Sequence, residues 1–239
     1  MDAGAADGEA CGWTAGPAQA EATFAKNAPY FAEHTVTTTI ETLIGFVVAF
    51  LVGEAVAVAM VYSRPLERTL YPVVLFAQVI PKIAVAPLFI VWLGFGLAPK
   101  IVVAVLMAFF PVVISGLAGL KTVDREMLEL AATMGAGRWK VFRKIRFPAS
   151  LPQLFSGLKV AATLAVTGAV VGEFVGANSG LGYVILQANG NIDTATLFVA
   201  LIIMSLLGVV MFAVIEAVER LLIPWHSSFR NGPATTLQA

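Results

Sequence analysis

IVVAVLMAFFPVVISGLAGL, residues 101–120, contains no charged side chain. At about 1.5 Å per residue, a helix of this length crosses the ~30 Å hydrocarbon layer of a bilayer. A second uncharged run, residues 194–215, is long enough to do the same. Working outward, the 239-residue chain is 59% apolar (Ala, Val, Ile, Leu, Met, Phe, Trp, Tyr and Cys) and 13% charged, whereas soluble domains run near 25% charged. The class that fits is all-α and polytopic, with backbone polar groups satisfied inside membrane-crossing helices.

The hydropathy pattern predicts five transmembrane helices, over about 36–62, 70–93, 100–120, 152–177 and 194–222. Pro81 and Pro87 interrupt the second, and each removes a backbone donor, so a kink or break is expected there. Residues 1–34 carry Asp2, Asp7, Glu9, Glu21 and Glu33 against Lys26 and lack the basic start of a signal peptide. They read as a polar, mostly disordered or surface-lying segment. The transmembrane domain is expected over 35–226, with a polar tail over 227–239.

Basic residues orient the spans, because Lys and Arg accumulate in short cytoplasmic loops. The segment between the third and fourth spans holds Lys121, Arg125, Arg138, Lys140, Arg143, Lys144 and Arg146, and its acids are Asp124, Glu126 and Glu129. It is predicted to be cytoplasmic. Alternation then puts Arg64, Arg68, Arg220 and Arg230 inside, with Lys100, Asp193 and the N-terminal segment outside. Fifteen basic and fifteen acidic residues cancel, which leaves no global positive field for nucleic acid. Cys11 is the only cysteine, so the chain forms no internal disulfide or multi-thiolate zinc site, and no metal site is expected.

Within the basic loop, 121–148, Asp124 is placed to cap a helix in which Met127, Leu128, Leu130, Ala131 and Met134 recur at helical spacing, with Gly135 positioned to end it. A second short amphipathic helix follows, with Trp139, Phe142 and Ile145 on its apolar edge, and Pro148 is expected to stop it.

Glu129-Leu-Ala-Ala-Thr-Met-Gly135, then Ile145 and Phe147-Pro148, resembles the cytoplasmic "EAA" motif of ABC-importer permeases: E-A-A, three residues, G, nine residues, I-x-L-P. Glu129, Ala131, Gly135, Ile145 and Pro148 match in register, while Leu130 and Phe147 replace other apolar residues. Arg64-Pro65-Leu66, Ile80-Pro81-Lys82 through Pro87-Leu88, Trp92-Leu93-Gly94-Phe95-Gly96 and Gly180-Leu181-Gly182 resemble the nitrate/taurine/sulfonate-type permeases. That group includes transporters of riboflavin and of the pyrimidine precursor of thiamine. The resemblance runs from about 35 to 226 and implies a type I importer permease-like core. The family normally has six spans, so the lack of one before Val36 is a departure.

The resemblance also implies the mechanism. Two permease copies, as a homodimer, enclose a path. Each lays its short coupling helix on a separate ATPase, and an external binding protein delivers the substrate. The chain contains no G-x-x-x-x-G-K-[ST] phosphate loop, so no cofactor is assigned to it: ATP and Mg belong to the ATPase, and the permease is no enzyme. Ala131, Ala132, Gly135, Ala136 and Gly137 offer a small-residue face for close approach, Glu129 a charged anchor, and Arg138 completes the coupling set. The implied location is the inner membrane.

Ionisable groups at membrane depth need partners or water. Glu41 and Lys159 read as snorkelling or paired at the interface, and Glu54 as a buried pair with a polar group on a neighbouring helix. Lys82 sits at the broken span, where freed backbone groups border a cavity or protein, and is a candidate for the substrate path. Glu173 and Asn178 precede the Gly180–Gly182 turn; Glu173 either faces the path or gate, or docks the external binding protein, or caps the turn at a wet interface. Gln187, Asn189 and Asn191 extend that outer surface, and the 187–193 stretch leading to Phe198 is closer to the riboflavin and thiamine-precursor permeases than to the sulfonate ones. Gly45, Gly53, Gly157 and Gly168 allow close helix packing. An ion-coupled secondary transporter or channel predicts inverted repeats and midplane carboxylates, and the sequence displays neither.

Overall fold

The computed structural model describes residues 17–223, and every regular element among them is helical. α1 (Pro17–Lys26) leads into α2 (Ala28–Tyr62), followed by α3 (Arg64–Val79), α4 (Lys82–Leu93) and α5 (Leu97–Leu120). After α6 (Arg125–Thr133), α7 (Arg138–Val141) passes through a π-helical turn (Phe142–Arg146) into α8 (Phe147–Gly176), and α9 (Leu181–Gly190) and α10 (Thr194–Leu222) close the bundle.

Among the described residues, four helical stretches are long and apolar enough to cross a membrane: α2, α5, Arg138–Gly176 and α10. The pair α3 and α4, bent by 96°, makes a fifth if counted as one span. The predicted interruption is therefore real and has a local cause. Ile80 is held extended (φ −60, ψ 128) before Pro81, the region to which a residue preceding proline is driven. Pro87, by contrast, stays within α4.

α5 lies between α2 and α8, and small residues set the approach. A Cβ added at Gly45 of α2 would stand 2.5 Å from Ala104 Cβ, and one at Gly168 of α8 would stand 2.7 Å from Ala104 Cα. Gly53 packs in the same way on Val112. Such contacts bring backbones close in lipid, where no hydrophobic force drives helices together. Phe46, Ala49, Ala108, Val112, Leu158 and Ala162 fill the buried centre between these three helices.

Two expectations need correction. Residues 28–34 are not part of a loose polar segment: α2 starts at Ala28, with Pro29 in its first turn and with Phe31 and His34 buried. Pro suits a first turn because its missing N–H would be unpaired there anyway. Residues 1–16 and 224–239, including the expected polar tail, lie outside the described residues. The second amphipathic helix is also not stopped by Pro148. In the π-helical turn the Phe147 N–H reaches back to the Phe142 carbonyl, and the chain continues into α8 with Pro148 in its first turn.

Candidate functional site

α6 stands off the bundle with two different faces. Met127, Leu130 and Met134 are 55%, 62% and 79% exposed and fall on one stripe at helical spacing. Ala131, one turn from Met127 and beside that stripe, is buried, and Leu128, Ala132 and Ala136 line a cavity together with Tyr62, Arg138 and Arg146. The sequence motif thus holds both faces. Ala131 is buried, the exposed Ala132 and half-buried Ala136 border the cavity, and the large apolar residues are exposed.

Gly135 (φ +71) ends α6 in the left-handed conformation that glycine adopts without strain. The Gly135 and Ala136 N–H groups donate to the Ala132 and Ala131 carbonyls at 3.0 Å each, the paired bonds of a Schellman motif. Asp124 occupies the N-cap position but its side chain makes no cap hydrogen bond. Glu129 is exposed and pairs with Arg125 one turn earlier, at 2.8 Å. Gly137 and Arg138 are also exposed and begin the rise into α7.

At the other end of the bundle the sequence reading missed a buried polar cluster. Lys100, expected outside, is 4% exposed; its ammonium donates to Glu41 Oε1 at 2.7 Å and to the Ser179 carbonyl at 3.2 Å. The Thr38 hydroxyl donates to Glu173 Oε1 at 2.7 Å and accepts from the Leu181 N–H at 2.8 Å. The Gly182 N–H donates to Glu173 Oε2 at 2.6 Å, and the Gly180 N–H donates to His34 Nδ1 at 2.9 Å. Three successive N–H groups at the start of α9, which have no partner within their own helix, are each taken by a side chain from α2 or α8.

Glu173 therefore caps the turn, but fully buried rather than at a wet interface. A Cβ at Gly182 would stand 2.8 Å from the Glu173 side chain, so glycine is what admits the carboxylate. The available signal was the spacing of His34, Thr38 and Glu41 along one face of α2. Asn178 is exposed just before the turn. Lys82 lies elsewhere, on the bent pair: its ammonium donates to the Gln78 carbonyl at 3.2 Å and lies 4.8 Å from the Phe110 ring centroid.

Lys159 pairs with Glu219 at 2.5 Å, and Glu41 is paired as well, but with Lys100 in the buried cluster and not at the interface. Glu54 is not: its Oε2 is buried against Gly116 with no hydrogen-bond partner among the described residues. Gly116 leaves the space for it but supplies no donor. No group of three or more His, Cys, Asp or Glu suited to a metal occurs among the described residues.

Residues 37–224 match the family described as binding-protein-dependent transport system inner membrane component. The chain is 39% identical over 183 residues to the formylaminopyrimidine transport permease protein ThiX of Halalkalibacterium halodurans, covering 77% of this chain and 73% of the relative. It is 40% identical over 196 residues to the riboflavin transport system permease protein RibX of Chloroflexus aurantiacus, covering 82% and 73%. A putative aliphatic sulfonates transport permease protein, SsuC of Bacillus subtilis, is 31% identical over 188 residues, covering 79% and 68%. In fold, the chain is similar to an inward-facing structure of the MetNI methionine ABC transporter: TM-score 0.66, 23% identity, 84% of this chain and 98% of that one.

Proposed function

The chain belongs to the family of binding-protein-dependent transport system inner membrane components, and from that premise we propose which of its surfaces couple to ATP hydrolysis and which solute it passes. It is a multi-pass permease subunit of an ABC importer in the inner membrane, and ATP hydrolysis belongs to a partner ATPase. Its other family partner is a substrate-binding protein.

The observation that carries the coupling assignment is the exposed stripe of Met127, Leu130 and Met134 on a short helix whose Ala131 is buried beside that stripe. An apolar stripe displayed on a short, basic-flanked helix fits a groove on a protein. In this reading the ATPase receives that stripe, Glu129 and Gly137 flank it, and Gly135 fixes where it ends. Ala132, Ala136 and Arg138 support the helix from within. Two copies of the permease, as a homodimer, enclose the path. Lys82 lines it at the broken span, Asn178 lies at its outer mouth, and Glu173 acts on it through the turn it holds.

The solute is a small nitrogen heterocycle of the formylaminopyrimidine or riboflavin kind. The support is the higher identity to the relatives named for those solutes, 39% and 40%, than to the sulfonate one, 31%. Reconstitution with the ATPase and the cognate binding protein tests both parts. Uptake of a labelled aminopyrimidine or flavin, with taurine and alkanesulfonate refused, supports the reading; the reverse preference removes the solute assignment. Failure of the ATPase to co-purify removes the coupling assignment.

A further inference from the structure

Behind α6, a cavity of about 300 Å³ opens between the end of α2 and the start of the α7–α8 helix, bordered by Tyr62, Ala132, Ala136, Arg138 and Arg146. Two arginines thus border one small space. Among the described residues neither forms an ion pair with a carboxylate, and no acidic residue lines the cavity. The flanking Lys140, Arg143 and Lys144 add positive charge, all on exposed positions.

The cavity lies where apolar helix gives way to basic loop, since Tyr62 is the last residue of α2. An aromatic cluster marks the same level: Phe142 has ring centroids of Tyr62, Trp139 and Phe147 at 5.9, 5.8 and 6.1 Å. Aromatic side chains gather at the headgroup layer. Paired guanidinium forks match the oxygens of a phosphate, and basic pockets between helices on the cytoplasmic side suit anionic headgroups.

We propose that Arg138 and Arg146 hold a phosphate group in this cavity, presented by an anionic phospholipid of the cytoplasmic leaflet. The same chemistry admits a free phosphate from solution, but the aromatic cluster beside the arginines favours the lipid. Bound there, the headgroup fills the space behind Ala132 and Ala136 and braces the coupling helix against the bilayer. This role rests on the reading of α6 as the ATPase-docking element; occupancy of the cavity does not.

The test uses the permease–ATPase complex purified from membranes in mild detergent, with retained phospholipid identified by mass spectrometry of the intact complex. Exchanging both arginines, Arg138→Gln with Arg146→Gln, is expected to weaken retention of phosphatidylglycerol about thirtyfold, the loss of two basic contacts with an anionic surface. The exposed pair Lys140→Gln with Lys144→Gln removes the same charge and is expected to retain it. Ala136→Leu, which fills the cavity and leaves both arginines in place, is expected to lose the lipid as well. Equal retention in parent and arginine variant overturns the site, as does equal loss in the lysine variant.

For the source, complex stripped of lipid and placed in phosphatidylcholine discs receives either phosphatidylglycerol or inorganic phosphate. Thermal stabilisation of the parent, but not the arginine variant, by phosphatidylglycerol alone supports the proposal; the same response to inorganic phosphate overturns the lipid assignment. The ATPase recovered per permease in the parent complex, measured alongside, reports on the coupling reading independently.

Discussion

Thr38 and Glu173, 135 positions apart, share a 2.7 Å hydrogen bond at the buried start of α9. The Thr38 oxygen also accepts from the Leu181 N–H, so one hydroxyl joins α2, α8 and the turn into α9. Each partner alone would be an unpaired polar group out of water, which costs about 1–3 kcal/mol.

That geometry separates two substitutions at Glu173. Glu173→Gln keeps a carbonyl for the Gly182 N–H, and its amide donates to the Thr38 oxygen once the Thr38 proton turns to the His34 carbonyl, 3.2 Å away. Glu173→Leu leaves Thr38 without its acceptor and the Gly182 N–H unpaired. We expect Leu, not Gln, to lower thermal stability in detergent by about 2 kcal/mol or more. We also expect it to reduce uptake per assembled complex severalfold while the ATPase stays bound. Equal effects of the two variants would assign the carboxylate's role to its charge.

Lys100→Met should be harsher than Lys100→Met combined with Glu41→Leu. The single change strands Glu41, which is fully buried, and removing one partner of a buried pair costs about 3–5 kcal/mol. The double change leaves two apolar side chains of similar size. A folded yield recovered in the double variant is the expected result; additive losses would show that Lys100 acts through Ser179 instead.

Much of the fold was legible because lipid imposes simple rules. Uncharged runs of sufficient length marked the spans, and Pro81 marked the break. The polar cluster was not legible, because a lysine at the edge of an apolar run reads as an interfacial charge. Only the folded arrangement brings Glu41 within 2.7 Å of Lys100. Glu54 shows the converse: a carboxylate deep in a span suggests a partner, and the neighbour turns out to be Gly116, which provides room and no donor. The coupling motif was legible in register but not in orientation, since the same alanines suit contact with a partner or with the chain's own helices.

The outward stripe on α6 gives a direct test. Leu130→Asp puts a charge at the centre of the exposed face and should release the ATPase without loss of permease from the membrane. Gly135→Ala forces a side chain into the left-handed region, at a cost of about 1–2 kcal/mol, and should weaken co-purification only partly. Retention of the ATPase by Leu130→Asp would move the docking face elsewhere.

Orientation is checked with Cys11 replaced and single cysteines at Arg143 and Asn191, both exposed. An impermeant thiol reagent applied to intact cells should label the Asn191 position and spare the Arg143 position, as the basic loop demands. Labelling at Arg143 would invert the whole arrangement.

Because the π-helical turn carries the chain past Pro148 without a break, Arg138–Gly176 is a single rod of 39 residues, roughly 58 Å long at ~1.5 Å per residue. One end emerges from Gly137, next to the helix that displays Met134; the other ends beside Glu173, which grips the turn into α9. At its midpoint Gly157 bears on Ser115 of α5, so the rod has a fulcrum as well as two ends. A tilt of about 5° over such a length displaces one tip relative to the other by about 5 Å. Under the coupling reading proposed above, a push at the Gly137 end would reach the outer turn as lever motion of this rod.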